Sequence, residues 1–239
     1  SLIEKSLLKE LKVEKKQLNK IDRLDVPESL PDKMHFTITP DKESGNDVLS
    51  VENVAMDFNY QNIFSDISFE VKKGDKIALI GPNGVGKTTL LRIILGRLTP
   101  TFGKIKLGAN VEVGYYDQEQ SDLHVEKTIF EEISDTYPTL TNTKIRNVLA
   151  AFVFTGDDVF KKISTLSGGE KGRVALAKIM LSNANFLILD EPTNHLDVDA
   201  KDELKRVLKE YKGTILMVCH EPEFYKDICT EIWDGSNFK

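Results

Sequence analysis

Two short stretches of the chain combine residue types at spacings that can do chemistry. "GPNGVGKT", Gly81 to Thr88, meets every fixed position of G-x-x-x-x-G-K-[ST]; it follows the apolar run "KIALI" and opens a helical pattern. Glycines let such a loop wrap closely enough for backbone N–H groups to point at phosphate oxygens, and the helix start adds positive potential. Gly81, Pro82, Asn83, Gly84, Gly86, Lys87, Thr88 and Thr89 are therefore the expected phosphate contacts. Lys87 is expected to reach the β- and γ-phosphates, and the Thr88 hydroxyl to ligate Mg²⁺. The second stretch is "LILDEPTNHLD", Leu187 to Asp197, in which an apolar strand delivers Asp190 and Glu191 at its end. Beside a phosphate loop, Asp190 is the natural Mg²⁺ carboxylate, directly or through water. Glu191 falls just beyond the strand, where it can face the γ-phosphate and deprotonate an attacking water.

A third stretch, "LSGGEKGRVALAK" from Leu166 to Lys178, sets Ser167, Gly168 and Gly169 before a helix with apolar Val174, Leu176, Ala177, Ile179 and Met180. Ser167 suits the N-cap, and a helix N-terminus next to glycines is again a phosphate site. One nucleotide hardly needs two helix N-termini of one chain at its γ-phosphate, so this one is expected to serve a nucleotide held by another domain.

The elements that must position these residues follow from periodicity. "VLSVENVAMDF" and "ISFEVKKGD" alternate as antiparallel strands do, whereas "KIALI" is apolar enough to be central. Further strands are expected at about 111–115, 186–189 and 214–218, with Leu90, Leu91, Ile93, Ile94, Leu95 and Leu98 spaced as a helix buried on one face. From Gln118 to Ser164 the pattern is mostly helical, broken at Pro138 and at Gly156-Asp157-Asp158. The fold class expected is α/β: a mostly parallel sheet core, an antiparallel β-subdomain before it and a helical subdomain inserted into it. Residues 1–45 read as a separate helical arm and connecting loop, and 46–239 as the nucleotide-binding domain. Leu2 to Leu24 carries Leu7, Leu11, Leu18 and Ile21 as an amphipathic stripe with a gap at Glu14 and Lys15. It suits half of a helical hairpin or a solvated surface helix. Pro27 and Pro31 end it, Met34 to Ile38 reads as extended, and the chain opens in mid-helix at Ser1, as a piece of a longer protein does.

Composition narrows the function classes. Over 239 residues, 40% are hydrophobic and 29% charged, a globular balance with a very polar surface. The net charge of -6 argues against indiscriminate nucleic-acid binding, so an RNA partner needs a local patch. No apolar run reaches the roughly 18 residues of a membrane span, so direct membrane insertion is not expected. Cys219 and Cys229 read as thiols rather than a disulfide.

The set GPNGVGKTT, YDQ, LSGGE, LDEP and an isolated His220 after a strand resembles the ATP-binding cassette (ABC) nucleotide-binding domain from Val48 to Trp233, a P-loop NTPase fold. In that family two cassettes sandwich two ATP molecules, each phosphate loop facing the LSGG motif of the other cassette. The resemblance implies that Phe58 stacks on adenine, with Tyr60 the less favoured candidate. It also implies that Gln118 contacts Mg²⁺ and the water, and that Ser167, Gly168 and Gly169 touch a γ-phosphate across the interface. Asp197 would lie in the loop that communicates between sites, and His220 would touch the γ-phosphate. "DEPTNHLD" and "LSGGEKGRVALAK" are similar to the cytoplasmic ABC-F branch, which joins two cassettes by a long helical hairpin and acts on ribosomes as translation factor or antibiotic-resistance protein. The implied partners are a second cassette, the ribosome and transfer RNA; the cofactors are ATP and Mg²⁺. The alternative is the ATP-hydrolysing subunit of a membrane transporter. "HEPEF", Glu221 onward, departs from the usual His-Asp and leaves the neighbours of His220 without a family role.

Overall fold

Strands that alternate between two apolar faces must be covered on both sides, and the central strands of this chain do so residue by residue. A computed structural model of the protein describes residues 36–117 and 122–238. The Leu2–Leu24 pattern, Pro27, Pro31, Met34, His35 and Gln118 lie outside the described residues. The chain divides into two compact units, Ser1–Met34 and His35–Lys239, of which the second holds every element below.

The elements run β1 Asp47–Phe58, β2 Gln61–Lys72, β3 Lys76–Ile80, α1 Lys87–Ile94, β4 Phe102–Leu107, β5 Val113–Tyr116, α2 Ile129–Thr136 and α3 Asn142–Ala151. They continue with α4 Gly168–Met180, β6 Phe186–Asp190, α5 Val198–Glu210, β7 Thr214–Val218, α6 Pro222–Ile228 and β8 Glu231–Asp234. Five strands form a parallel sheet in the order β5-β6-β7-β3-β8, and three form an antiparallel sheet in the order β2-β1-β4. The antiparallel strands β1 and β2, the central strand β3 and the β7 run match the periodicity of the sequence. β4 and β8 have no counterpart in the sequence reading.

One face of the parallel sheet sends Ala78, Leu187, Leu189, Ile215 and Met217 into a core shared with α2 to α6. The other face sends Ile77, Leu79, Phe186, Ile188, Leu216 and Val218 against α1 and the antiparallel sheet. Trp233 on β8, paired with Leu79 on β3, packs its ring 4.7 Å from that of Phe69 on β2 and thereby touches both sheets. The mouth of the phosphate loop and the C-terminal ends of β6 and β7 thus open at one edge of the sheet, where ligands of parallel α/β folds bind.

The helical insert is fixed by capping and by a buried charge. Thr128 and Glu131 form a capping box at the start of α2. The next residue, Glu132, is fully buried, with its carboxylate 2.8 Å from Lys178 Nζ on α4 and 3.0 Å from His124 Nδ1. Cys219 and Cys229 are both free thiols. Among the described residues, no helix is long and apolar enough to cross a membrane.

Candidate functional site

β3, buried in mid-sheet, delivers the chain to Gly81, and the loop that follows winds into α1 at Lys87. Gly86 is the N-cap with φ 99°, and a Cβ there would come within 2.8 Å of Ile63 Cγ2 and Phe64 Cδ1. Only glycine meets both demands. Lys87 is buried, and its Nζ donates to the carbonyls of Gly81 and, at 2.8 Å, Pro82, so the ammonium lies inside the loop. Burial draws its pKa down from the ordinary lysine value, while Glu191 and Asp190 act in the opposite sense.

β6 lies two strands away across β7 and ends in the two carboxylates. Thr88 Oγ1 donates to Asp190 Oδ2 at 3.0 Å, so the first turn of α1 and the end of β6 meet at one point. Burial raises the Asp190 pKa; the Thr88 hydroxyl opposes the rise and the Asp117 carboxylate adds to it. Glu191 leaves the strand with φ 53°, an unusual backbone for a non-glycine residue, and its N–H donates to Val218 O at 2.9 Å. Its carboxyl is pushed up to about 7, first by burial and then by the charge of Asp190. Oε1 of Glu191 sits 2.7 Å from Nε2 of His220, which follows β7. The two side chains thus meet as a close nitrogen–oxygen pair.

These groups line one cleft of about 630 Å³. Asn83, Gly84, Gly86, Lys87, Thr88, Thr89, Asp190, Glu191 and His220 are all on its wall, as the sequence reading brings them together. Ile63, Arg92, Tyr115, Asp117, Asn194 and Glu221 also line it without having been singled out as site residues. Arg92 follows Thr88 by one helical turn and Glu221 follows His220, so helical periodicity and chain adjacency were the available signals.

Gly81 and Pro82 accept from Lys87 but are not on that wall, and six other expected residues stand elsewhere. Ser167 caps α4, accepting from Glu170 N at 3.2 Å, and neither it nor Gly168 nor Gly169 is on the cleft wall. Asp197 caps α5, accepting from Ala200 N at 2.8 Å. The two turns abut, because a Cβ at Gly169 would lie 3.1 Å from His195 Cβ. Phe58 ends β1 and Tyr60 sits in the tight turn before β2, and both are exposed rather than part of the wall.

The donors suit a hard divalent cation: an alcohol and a carboxylate oxygen side by side, with no nitrogen or sulfur between them. Among the described residues no group of three or more His, Cys, Asp or Glu can hold a metal by itself. Thr88 and Asp190 would hold such a cation with the help of further oxygen ligands from outside the chain.

Comparison with known proteins matches residues 64–194, more than half of the chain, to the ABC transporter family. The chain belongs to that family. The cassette is 45% identical to the putative ATP-binding protein YdiF of Bacillus subtilis over 240 residues, covering 99% of this chain and 37% of that protein. It is 38% identical over 197 residues to ABC transporter F family member 5 of Arabidopsis thaliana, covering 80% of this chain and 28% of that protein. The chain thus spans 37% of the first of these relatives and 28% of the second, and it is similar to a cassette of the F family. Its fold is that of the dimeric ATP-binding cassette MJ0796 solved with ADP and Pi, with a TM-score of 0.63 at 21% identity over 75% of this chain and 90% of that one.

Proposed function

We propose that this cassette hydrolyses ATP to ADP and phosphate at the cleft between α1 and β6, once a second cassette closes over it. In the longer protein of which its relatives are examples, closure would control binding to the ribosome and reach toward transfer RNA. The observation that carries the catalytic part is the Glu191–His220 contact at the mouth of the phosphate loop, with a carboxyl whose pKa stands near 7. A base poised near the working pH combines the ionised form with useful proton affinity.

The loop N–H groups and Lys87 bind the β- and γ-phosphates, and Phe58 offers an exposed ring for adenine. Thr88, Asp190 and Gln118 would hold Mg²⁺, which when bound neutralises charge on the phosphates. Glu191 takes the proton of the attacking water, and His220, which meets Glu191 at 2.7 Å, would touch the γ-phosphate. Ser167, Gly168 and Gly169 would complete the site of the other cassette, with Asp197 in the adjoining turn. The dimeric cassette MJ0796 supports this pairing by analogy of fold. The F-type relatives and the DEPTNHLD stretch support the ribosomal, cytoplasmic reading.

Glu191→Gln tests the chemistry. ATP binding should persist while hydrolysis falls by about 10²–10⁴-fold; undiminished turnover removes Glu191 from the role of base. The ribosomal part is tested with the full-length parent carrying the same substitution in both cassettes. ATP-dependent co-sedimentation with ribosomes is expected, and fractionation with a membrane complex instead would make the chain a transporter subunit.

A further inference from the structure

The residue after His220 makes contacts that the catalytic reading leaves unused. Glu221 lines the cleft, and its Oε1 accepts from the buried Thr193 hydroxyl at 2.9 Å. Its Oε2 lies 3.0 Å from Lys201 Nζ on the first turns of α5. Lys201 in turn donates its backbone N–H to Asp197 O at 2.9 Å. The turn between Glu191 and Asp197 is closed by Asn194 N donating to Glu191 O and Leu196 N donating to Thr193 O, each at 3.2 Å. A path therefore runs from Asp197 through the hydrogen bonds of Lys201 and Glu221, then along the chain to His220 and across its 2.7 Å contact to Glu191.

We propose that Glu221 is a positioning residue that ties the His220 turn to the Asp197-capped end of α5, so that engagement of a second cassette at Asp197 sets the Glu191–His220 contact. The inference deepens the proposed function and rests on it. Three features carry it. The carboxylate joins its own turn to both sides of the Asp197 turn, Thr193 before it and Lys201 after it. Burial acts against ionisation of Glu221, yet the Lys201 ammonium and the Thr193 hydroxyl outweigh it and hold its pKa below the ordinary value, so the tie is charged at neutral pH. Finally, the two oxygens meet the two partners at once, Oε1 at Thr193 and Oε2 at Lys201. A physical chain of this kind is a route for coupling only if both ends respond together, which is what must be measured.

The experiment compares the 239-residue chain with its Glu221→Ala and Glu221→Gln variants, reading steady-state turnover and backbone hydrogen exchange with and without ATP and Mg²⁺. In the parent, ATP should slow exchange at the phosphate loop and also at 197–201 and around His220. In Glu221→Ala, protection should remain at the phosphate loop and vanish at 197–201, with kcat lower by about ten- to a hundredfold and KM little changed. Glu221→Gln keeps one acceptor and should recover part of both. Should Glu221→Ala fail to fold, Lys201→Met cuts the same tie from the α5 side and carries the same expectations. Equal protection at 197–201 in parent and variant overturns the inference, whether kcat falls or not. Protection confined to the phosphate loop in the parent overturns it as well while leaving ATP binding intact. If ATP protects no segment of the parent, the functional reading itself fails, and the inference with it.

Discussion

Glu191 combines an unusual backbone, a partly buried carboxyl and an imidazole at 2.7 Å, and each has a measurable consequence. A carboxyl raised from 4.5 to about 7 is ionised only as the pH climbs through that value. Hydrolysis should therefore rise with pH through about 7, and the limb should disappear in Glu191→Gln. The stability effect has a defined sign. The folded state holds this proton more tightly than the unfolded chain, so the contribution of Glu191 is complete below 4.5 and is lost as the pH rises through about 7. Melting of Glu191→Gln against the parent without nucleotide should show the variant relatively more stable at about pH 8 than at about pH 5. At Gly86, alanine would need φ 99° and would press within 2.8 Å of Ile63 and Phe64. Gly86→Ala should abolish binding of a fluorescent ATP analogue and destabilise the fold by about 1–3 kcal/mol, read from the denaturant midpoint. Motif residues such as Gly86, Lys87 and Asp190 are legible in the sequence because their chemistry is local. Asn194 is not, because only the folding of the turn after Glu191 brings it to the cleft wall.

At the scale of elements, legibility follows burial. β7 is apolar at every position and buried at every position, so its ends are read correctly from the sequence. β4, "FGKIKL", is an edge strand with no fully buried residue, and it exists because its backbone pairs with β1 rather than because of any pattern of its own. Such strands carry no amphipathic signal. The start of α2 is legible as Thr128-Ile129-Phe130-Glu131, whereas the burial of the next residue is not, since a charged side chain is read as exposed until its partners are known. Those partners, Lys178 and His124, make Glu132 a junction between the helical insert and the helix that Ser167 caps. Removing one member strands the other, so Glu132→Ala should cost about 3–5 kcal/mol in urea unfolding.

For the whole molecule, the decisive relation is that the Ser167–Gly169 turn is absent from the wall of the cleft formed by Lys87 and Glu191. A site completed only by a second copy makes specific activity rise with protein concentration, and ATP should shift the sedimenting species toward a dimer when Glu191→Gln blocks hydrolysis. A mixing test is sharper. Lys87→Ala and Ser167→Arg should each be nearly inactive alone, and their mixture should regain turnover, because a heterodimer contains one site with both motifs intact. Mixtures no more active than the separate variants would argue against sharing of the site.

The packing of Trp233 between the two sheets gives the chain a built-in optical probe. It is the single tryptophan of the sequence, it shares a ladder with Leu79 on the phosphate-loop strand, and it rests on Phe69 of the antiparallel sheet. Its fluorescence therefore originates at one junction. Lifting of the antiparallel sheet from the core would hydrate the indole and shift its emission to the red before the helical insert melts. Emission and far-ultraviolet dichroism followed along one denaturation curve would then separate into two transitions if the sheets part first, and superimpose if the cassette unfolds as one cooperative body.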